Sequence, residues 1–129
     1  MEQPLVSVIC ACYNQSKFVV ESLESVKNQT YKNLEIIIWD DASADNSVEK
    51  IEEWIRNNPE MNIQFIKNKV NRGICKSLNT AQNLTTGKYI QLLALDDFLL
   101  PDKITRHVEI LENSSDNIAL VFTDAFLMN

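Results

Sequence analysis

Four short apolar runs, each ending in polar or acidic residues and separated by amphipathic stretches, constrain this chain more than any other feature. Leu5 to Cys12, Leu34 to Trp39, Ile63 to Lys67 and Tyr89 to Leu95 are rich in aliphatic and β-branched residues and have the length of strands. From Lys17 to about Asn28, Val19, Leu23 and Val26 fall at helical spacing with Glu21, Glu24 and Lys27 between them. Val48, Ile51, Trp54 and Ile55 form the stripe of a second helix, opened by a cap of Asn46 with Glu49 and closed near Asn57-Asn58-Pro59. Ile74, Leu78 and Ala81 mark a third helix, with Gly87 at the left-handed position just past its end. Ile104, Val108 and Leu111 mark a fourth, starting after Pro101. Ile118 to Thr123 reads as a last strand that stops at Asp124.

Strands alternating with helices of about 11 to 14 residues imply right-handed crossovers. The expected fold class is therefore α/β, doubly wound, with a mostly parallel sheet and helices on both faces. In such sheets ligands bind beyond the carboxyl ends of the strands, where the winding reverses. Those ends carry Tyr13 and Asn14, Asp40 and Asp41, the Lys69 to Gly73 loop, and Asp96 and Asp97, so all four groups belong on one edge. With strand order 3-2-1-4, the switch falls between the first and fourth strands.

Composition narrows the class of ligand. A chain of 129 residues that is 45% hydrophobic and 23% charged fits one globular domain. Its net charge of −6 excludes a nucleic-acid backbone as partner, and an anionic ligand would need a cation or local donors. The absence of a long apolar stretch, and of a basic region at Met1-Glu2-Gln3-Pro4, gives the expectation of a cytoplasmic chain with no membrane span. Three cysteines fit a reducing compartment, with Cys10 and Cys12 as buried, inert thiols on one face of a strand.

The edge is suited to a nucleotide, without the usual phosphate device. The chain has two glycines and neither G-x-G-x-x-G nor G-x-x-x-x-G-K-[ST], so backbone amides are not expected to cradle a phosphate. Asp96 and Asp97 repel each other unless a cation neutralises them, and a divalent metal held there would neutralise a diphosphate. The bland alternative is a solvated turn before a helix. Tyr13 offers a flat face to a base, Asp40 or Asp41 can accept from a base N–H or a ribose hydroxyl, and Arg72 can donate to a base carbonyl or phosphate. The remaining candidates have structural readings: Trp39 and Trp54 as core, Asp45 as the shaper of a turn, and His107 on the polar side of the last helix with no metal role. Lys67, Lys69 and Lys76 read as a solvated face.

One resemblance orders these pieces. Val6-Ser7-Val8-Ile9 through Tyr13-Asn14, then Leu23 to Tyr31, then Glu35 to Asp40-Asp41-Ala42-Ser43 with Asp45-Asn46, resembles the start of a family 2 glycosyltransferase of the GT-A fold. The likeness continues through Asn71-Arg72-Gly73 with Asn79, Gly87-Lys88-Tyr89-Ile90, and Asp96-Asp97 with Pro101-Asp102. It implies that Ala11, Tyr13, Asp40, Asp41, Arg72 and Asp96 bind the nucleotide. Asp96 and Asp97 would be the D-x-D-type element that holds Mn2+ or Mg2+. The implied reaction moves a sugar from a nucleoside-diphosphate donor, with UDP as the expected carrier, to a carbohydrate or lipid-linked acceptor in cell-wall or surface polysaccharide synthesis, the full-length protein working at the cytoplasmic membrane face.

Two departures qualify the match. Members often carry Asp-x-Asp-Asp, and Ala94 stands at the first of these positions. The carboxylate that deprotonates the acceptor is expected beyond Asn129, so residues 1–129 read as a donor-binding half that lacks its acceptor half and does not transfer sugar alone. The alternatives are a non-catalytic nucleotide-binding module and a sugar-nucleotide nucleotidyltransferase, although the latter calls for a Gly-rich, Arg-containing loop where Tyr13-Asn14-Gln15 stands. A response-regulator receiver would need its carboxylate pair after the first strand.

Overall fold

The computed structural model describes residues 2–128; Met1 and Asn129, the two ends of the expected domain, lie outside the described residues. The chain runs β1 (Val6–Cys12), α1 (Val19–Lys27), β2 (Leu34–Asp40), α2 (Ser47–Asn57), β3 (Ile63–Lys67), α3 (Ile74–Gln82), β4 (Tyr89–Ala94) and α4 (Lys103–Glu112). The strands form one sheet in the order β3-β2-β1-β4, as the alternation predicts, and every neighbouring pair is parallel.

Both sheet faces are covered, which is why β1 and β2 are continuous apolar runs rather than alternating ones. Val8 and Cys10 of β1 with Ile36 and Ile38 of β2 meet the inner sides of α1, α2 and α4. On the opposite face Ile9, Ile37 and Trp39 pack with Ala81 and Leu78 of α3. Cys10 and Cys12 are buried as expected, and burial pushes the Cys10 thiol up to about 12, which keeps it unreactive. Trp54 is core too, with its indole N–H donating to Glu24 Oε1 at 2.7 Å.

Several sequence expectations change. The Asn46 side chain makes no capping bond at α2; the acceptor is Asp45, whose Oδ1 takes the Ser47 N–H at 2.9 Å. Gly87 is not left-handed. A Cβ there would lie 2.5 Å from Ser7 Oγ, 2.7 Å from Ser7 N and 2.8 Å from Leu5 O, so glycine is required by close approach to β1. The left-handed glycine is Gly73, at φ +81°, immediately before α3. His107, placed by its pattern on the polar side of the last helix, is half-buried, and burial together with nearby Lys103 lowers its pKa.

Ile118 to Thr123 is not a strand. Residues 118–128 carry no regular secondary structure, and Phe122 is 82% exposed. A strand exists through its ladder, and a cleft of about 590 Å³ bordered by Tyr89, Leu92, Leu120 and Phe122 separates this segment from β4. Its β-branched pattern marks a propensity that finds no partner here.

Candidate functional site

The parallel register brings the strand ends level. Cys12 pairs with Asp40, Asp40 with Lys67, and Ala11 with Ala94. The ladder continues into the loops through Asp41 N to Cys12 O at 3.0 Å, Asn68 N to Asp40 O at 2.9 Å and Leu95 N to Ala11 O at 2.8 Å. Ala11, Tyr13, Asp40, Asp41, the Arg72 loop, Asp96 and Asp97 therefore gather at one edge, as the sequence predicts, with β1 in the middle.

The loops after β1 and β2 are fastened to each other. Asn14, at φ 51°, donates its N–H to Ser43 Oγ at 2.9 Å, and its own Oδ1 accepts from Ala44 N at 2.8 Å. Gln15 N donates to Ser47 Oγ at 3.0 Å, Ser16 N to Asp45 Oδ2 at 3.1 Å, and Lys50 Nζ to Ser16 O at 2.7 Å. Asp45 thus does shape this turn. What burial it has raises its pKa, but the bonds from Ser47 and Ser16 outweigh that and hold it down to about 2. On this wall Tyr13 stands 52% exposed, free to present its ring.

The two carboxylates after β2 are closed rather than open. Asp40 is 1% exposed and accepts from both the backbone N–H and the hydroxyl of Ser43, which fixes the turn that carries Ala42 at φ 62°. Asp41 is 5% exposed, and its donors all come from the segment after β3. Asn68 Nδ2 reaches Oδ1 at 2.9 Å, Arg72 N reaches Oδ1 at 2.8 Å, and Gly73 N reaches Oδ2 at 3.0 Å. Nothing in the sequence pattern signalled this role, because donors 27 to 32 positions away leave no local periodicity. The Arg72 side chain is exposed and, among the described residues, has no ion-pair partner.

The second pair behaves oppositely. Asp97 N donates to Ala94 O at 2.9 Å and Asp97 O accepts from Ser22 Oγ at 2.5 Å, so the main chain of this turn is tied to α1. Both carboxylates are exposed, and among the described residues neither has a hydrogen-bond or ion-pair partner. No group of three or more protein ligands surrounds a common point among the described residues. That donor set fits a divalent cation taking one or two carboxylates with phosphate and water oxygens completing its sphere, and does not fit an all-protein metal cage. Asp97 also borders a cleft of about 540 Å³ shared with Phe98, Lys103 and Asp124. Among the described residues no helix is long and apolar enough to cross a membrane.

Comparison with known proteins agrees with this fold. A glycosyltransferase of Methanocaldococcus jannaschii is 38% identical over the whole chain, which spans 44% of that protein. An Escherichia coli β-1,3-glucosyltransferase named for UDP-Glc and α-D-GlcNAc-diphosphoundecaprenol is 37% identical over 84% of the chain and 41% of its own length. Among solved structures, a Pyrobaculum calidifontis mannosyltransferase in complex with GDP-Man and Mn2+ superposes with a TM-score of 0.83 at 26% identity, covering 88% of this chain and 34% of that one. The chain thus spans less than half the length of these proteins, and its sheet and helices are those of the GT-A fold. The sequence pattern described as glycosyl transferase family 2 runs from residue 7 to residue 129, and the chain belongs to that family.

Proposed function

We propose that residues 1–129 form the donor-binding half of an enzyme that transfers a sugar from a nucleoside diphosphate, UDP in particular, to a carbohydrate or lipid-linked acceptor. The observation that carries this reading is the contrast at the sheet edge: two adjacent, exposed carboxylates, without hydrogen-bond or ion-pair partners among the described residues, stand across the switch point from an exposed tyrosine. The Tyr13 ring takes the base face, and Ala11 beside it lets the nucleoside approach the end of β1. Asp40, 1% exposed and accepting from Ser43 through both oxygens, holds the turn that borders the base. Arg72 donates from the opposite side, and Asp96 meets the ribose.

Asp97, with Asp96, would hold Mn2+ or Mg2+. A cation there supplies Lewis-acid stabilisation of the charge on the departing nucleoside diphosphate. The named substrates of the E. coli relative and the Mn2+ of the mannosyltransferase complex support a nucleotide-sugar donor and a cation. Transfer also requires a base within hydrogen-bond reach of the acceptor hydroxyl. No residue of this edge is assigned that task, so sugar transfer is a property of the larger protein.

The test is a thermal-shift series with UDP, GDP, AMP and NAD, with and without Mn2+. Binding to the folded state stabilises by RT ln(1 + [L]/Kd), about 2.7 kcal/mol at a hundredfold excess over Kd. The expected order is UDP with Mn2+ above UDP alone, and both above AMP and NAD. Equal shifts with NAD and UDP would remove the base assignment, and a larger shift with GDP would keep the site but change its nucleotide.

A further inference from the structure

We propose that Ser22, Ser25 and Gln29 are positioning residues: a polar stripe along α1 holds the main chain of residues 97–104 so that the Asp97 carboxylate meets the cation of a bound nucleoside diphosphate. This deepens the nucleotide reading above and rests on it. Residues 95–102 belong to neither strand nor helix. Their own backbone closes two short turns, Asp97 N to Ala94 O at 2.9 Å and Lys103 N to Leu100 O at 3.1 Å, and the stretch between them is shaped from outside. The Ser22 hydroxyl donates to Asp97 O at 2.5 Å, and Leu99 N donates to Ser25 Oγ at 3.1 Å. Gln29 grips two points at once, with Nε2 donating to Leu100 O at 2.7 Å and Oε1 accepting from Ile104 N at 3.1 Å. Three side chains of one helix thus follow the segment from the end of β4 to the first turn of α4.

Their spacing of i, i+3 and i+7 puts them on one helical face. Ser22 and Gln29 are 0% exposed, so neither reaches a ligand. Polar groups buried this deeply cost desolvation unless they are paired, and Gln29 is paired throughout, since Nε2 also donates to Ser25 O at 3.1 Å. Apolar side chains there would avoid that cost; what hydrogen bonds add is direction. The main chain at Asp97 is therefore fixed while its carboxylate stays exposed. The other end of α1 is tied to the opposite wall. Phe18 N and Val19 N donate to Gln15 O, at 2.9 and 3.0 Å, in the loop that carries Tyr13. One helix therefore spans the distance between the base wall and the carboxylate turn.

The experiment uses this chain with two readouts. Amide hydrogen exchange at Leu99 and Ile104 in the ligand-free protein reports the clamp, and calorimetric Kd for UDP and for GDP, each with Mn2+ and with chelator, reports its use. Gln29→Leu should speed exchange at the Ile104 amide about tenfold or more, with the Ile9 and Ile37 amides unchanged. It should weaken diphosphate binding about tenfold with Mn2+, as loss of a group that orients a metal ligand does, and leave binding in chelator and uridine binding unchanged. A merely structural residue would lower the melting temperature and spare the Mn2+ dependence, and that result overturns the proposal. Equal losses for uridine and UDP, or unchanged exchange, overturn it as well. If Gln29→Leu does not fold, Ser22→Ala decides, because it removes one hydroxyl and the bond to Asp97 O. It should reduce the Mn2+-dependent affinity in the wild-type background and cost nothing further beside Asp97→Asn; a loss that multiplies with Asp97→Asn, or no loss in either, overturns the proposal. A wild-type chain whose UDP and GDP affinities ignore Mn2+ removes the cation reading and this proposal with it, while exchange still shows whether the clamp exists.

Discussion

Ser7 and Glu35 are register partners on β1 and β2, and the Ser7 hydroxyl donates to Glu35 Oε1 at the end of the sheet opposite the site. The same carboxylate accepts from Thr86 N at 2.6 Å, Thr86 Oγ1 at 2.9 Å and Gly87 N at 3.1 Å, tying the approach to β4 onto the first two strands. Glu35→Ala should cost about 3 kcal/mol by leaving several buried donors unpaired, and Glu35→Gln less because one acceptor remains. Gly87→Ala should cost about 2 kcal/mol or more, since its Cβ would meet the Ser7 and Leu5 backbone. Urea unfolding of the three variants measures both. Wild-type midpoints would show that this staple contributes nothing.

Acid stability follows from the same chemistry. Burial works against ionisation of Glu35 and Asp41, but their hydrogen bonds outweigh it and lower both pKa values; Asp45 is held down to about 2. A carboxylate whose folded pKa lies below its unfolded one contributes stability above the unfolded value and loses it as pH falls through the folded value. With unfolded references of 3.8 for Asp and 4.5 for Glu, the loss should begin below about pH 5 and continue toward pH 2. Urea midpoints across that range test it, and Asp45→Asn should flatten the acid end of the curve. A midpoint that rises as pH falls would contradict the assignment.

Asp97→Asn keeps the size of the side chain and removes the hard anionic oxygen that the proposed cation would take. It should abolish the Mn2+-dependent part of UDP affinity and leave uridine binding unchanged. Because relief of repulsion from Asp96 favours the ligand-free fold, its melting temperature should equal or exceed the wild-type value. Calorimetry with Mn2+ and with chelator, alongside melting curves, separates this from a turn residue, whose loss would lower the melting temperature and spare the metal dependence.

Tyr13→Ala should act in the reverse sense, weakening uridine and UDP alike by about 1 to 3 kcal/mol. With its ring 52% exposed, the residue carries little of the core, and the melting temperature should change by only a degree or two. Uridine and UDP titrations report the effect. A loss confined to UDP would place Tyr13 near the phosphates instead of the base.

Much of this architecture is legible in the sequence because its signals are local. Three consecutive isoleucines, Ile36 to Ile38, announce a strand covered on both faces, and parallel topology then sends Tyr13 and Asp96 to one edge without further information. What stays hidden is what depends on partners far along the chain. The Asp40-Asp41 pair and the Asp96-Asp97 pair read alike as text, yet the first is closed by Ser43, Asn68, Arg72 and Gly73 and the second stands open. Glu35 and Gly87 are equally silent until β1 and β4 pair. Ile118 to Thr123 fails for the converse reason: its local pattern is that of a strand, and pairing decides otherwise.

Val6 pairs with Leu34 on one side and with Tyr89 on the other, and that asymmetry sets an order of assembly. The β1–α1–β2 unit closes a short loop, whereas β4 must return across most of the chain, and the longer closure costs more entropy before any contact repays it. The wall of Tyr13 and Ser43 therefore forms with the early unit, and Asp96 and Asp97 arrive only when β4 docks. Pulse-labelled refolding should protect Ile9 and Ile37 amides before those of Leu93 and Leu95. Under the proposed nucleotide reading, a chain caught between these events would hold its base-stacking wall without the carboxylates that hold the cation, so during folding the means of recognising the base would precede the means of recognising the charge.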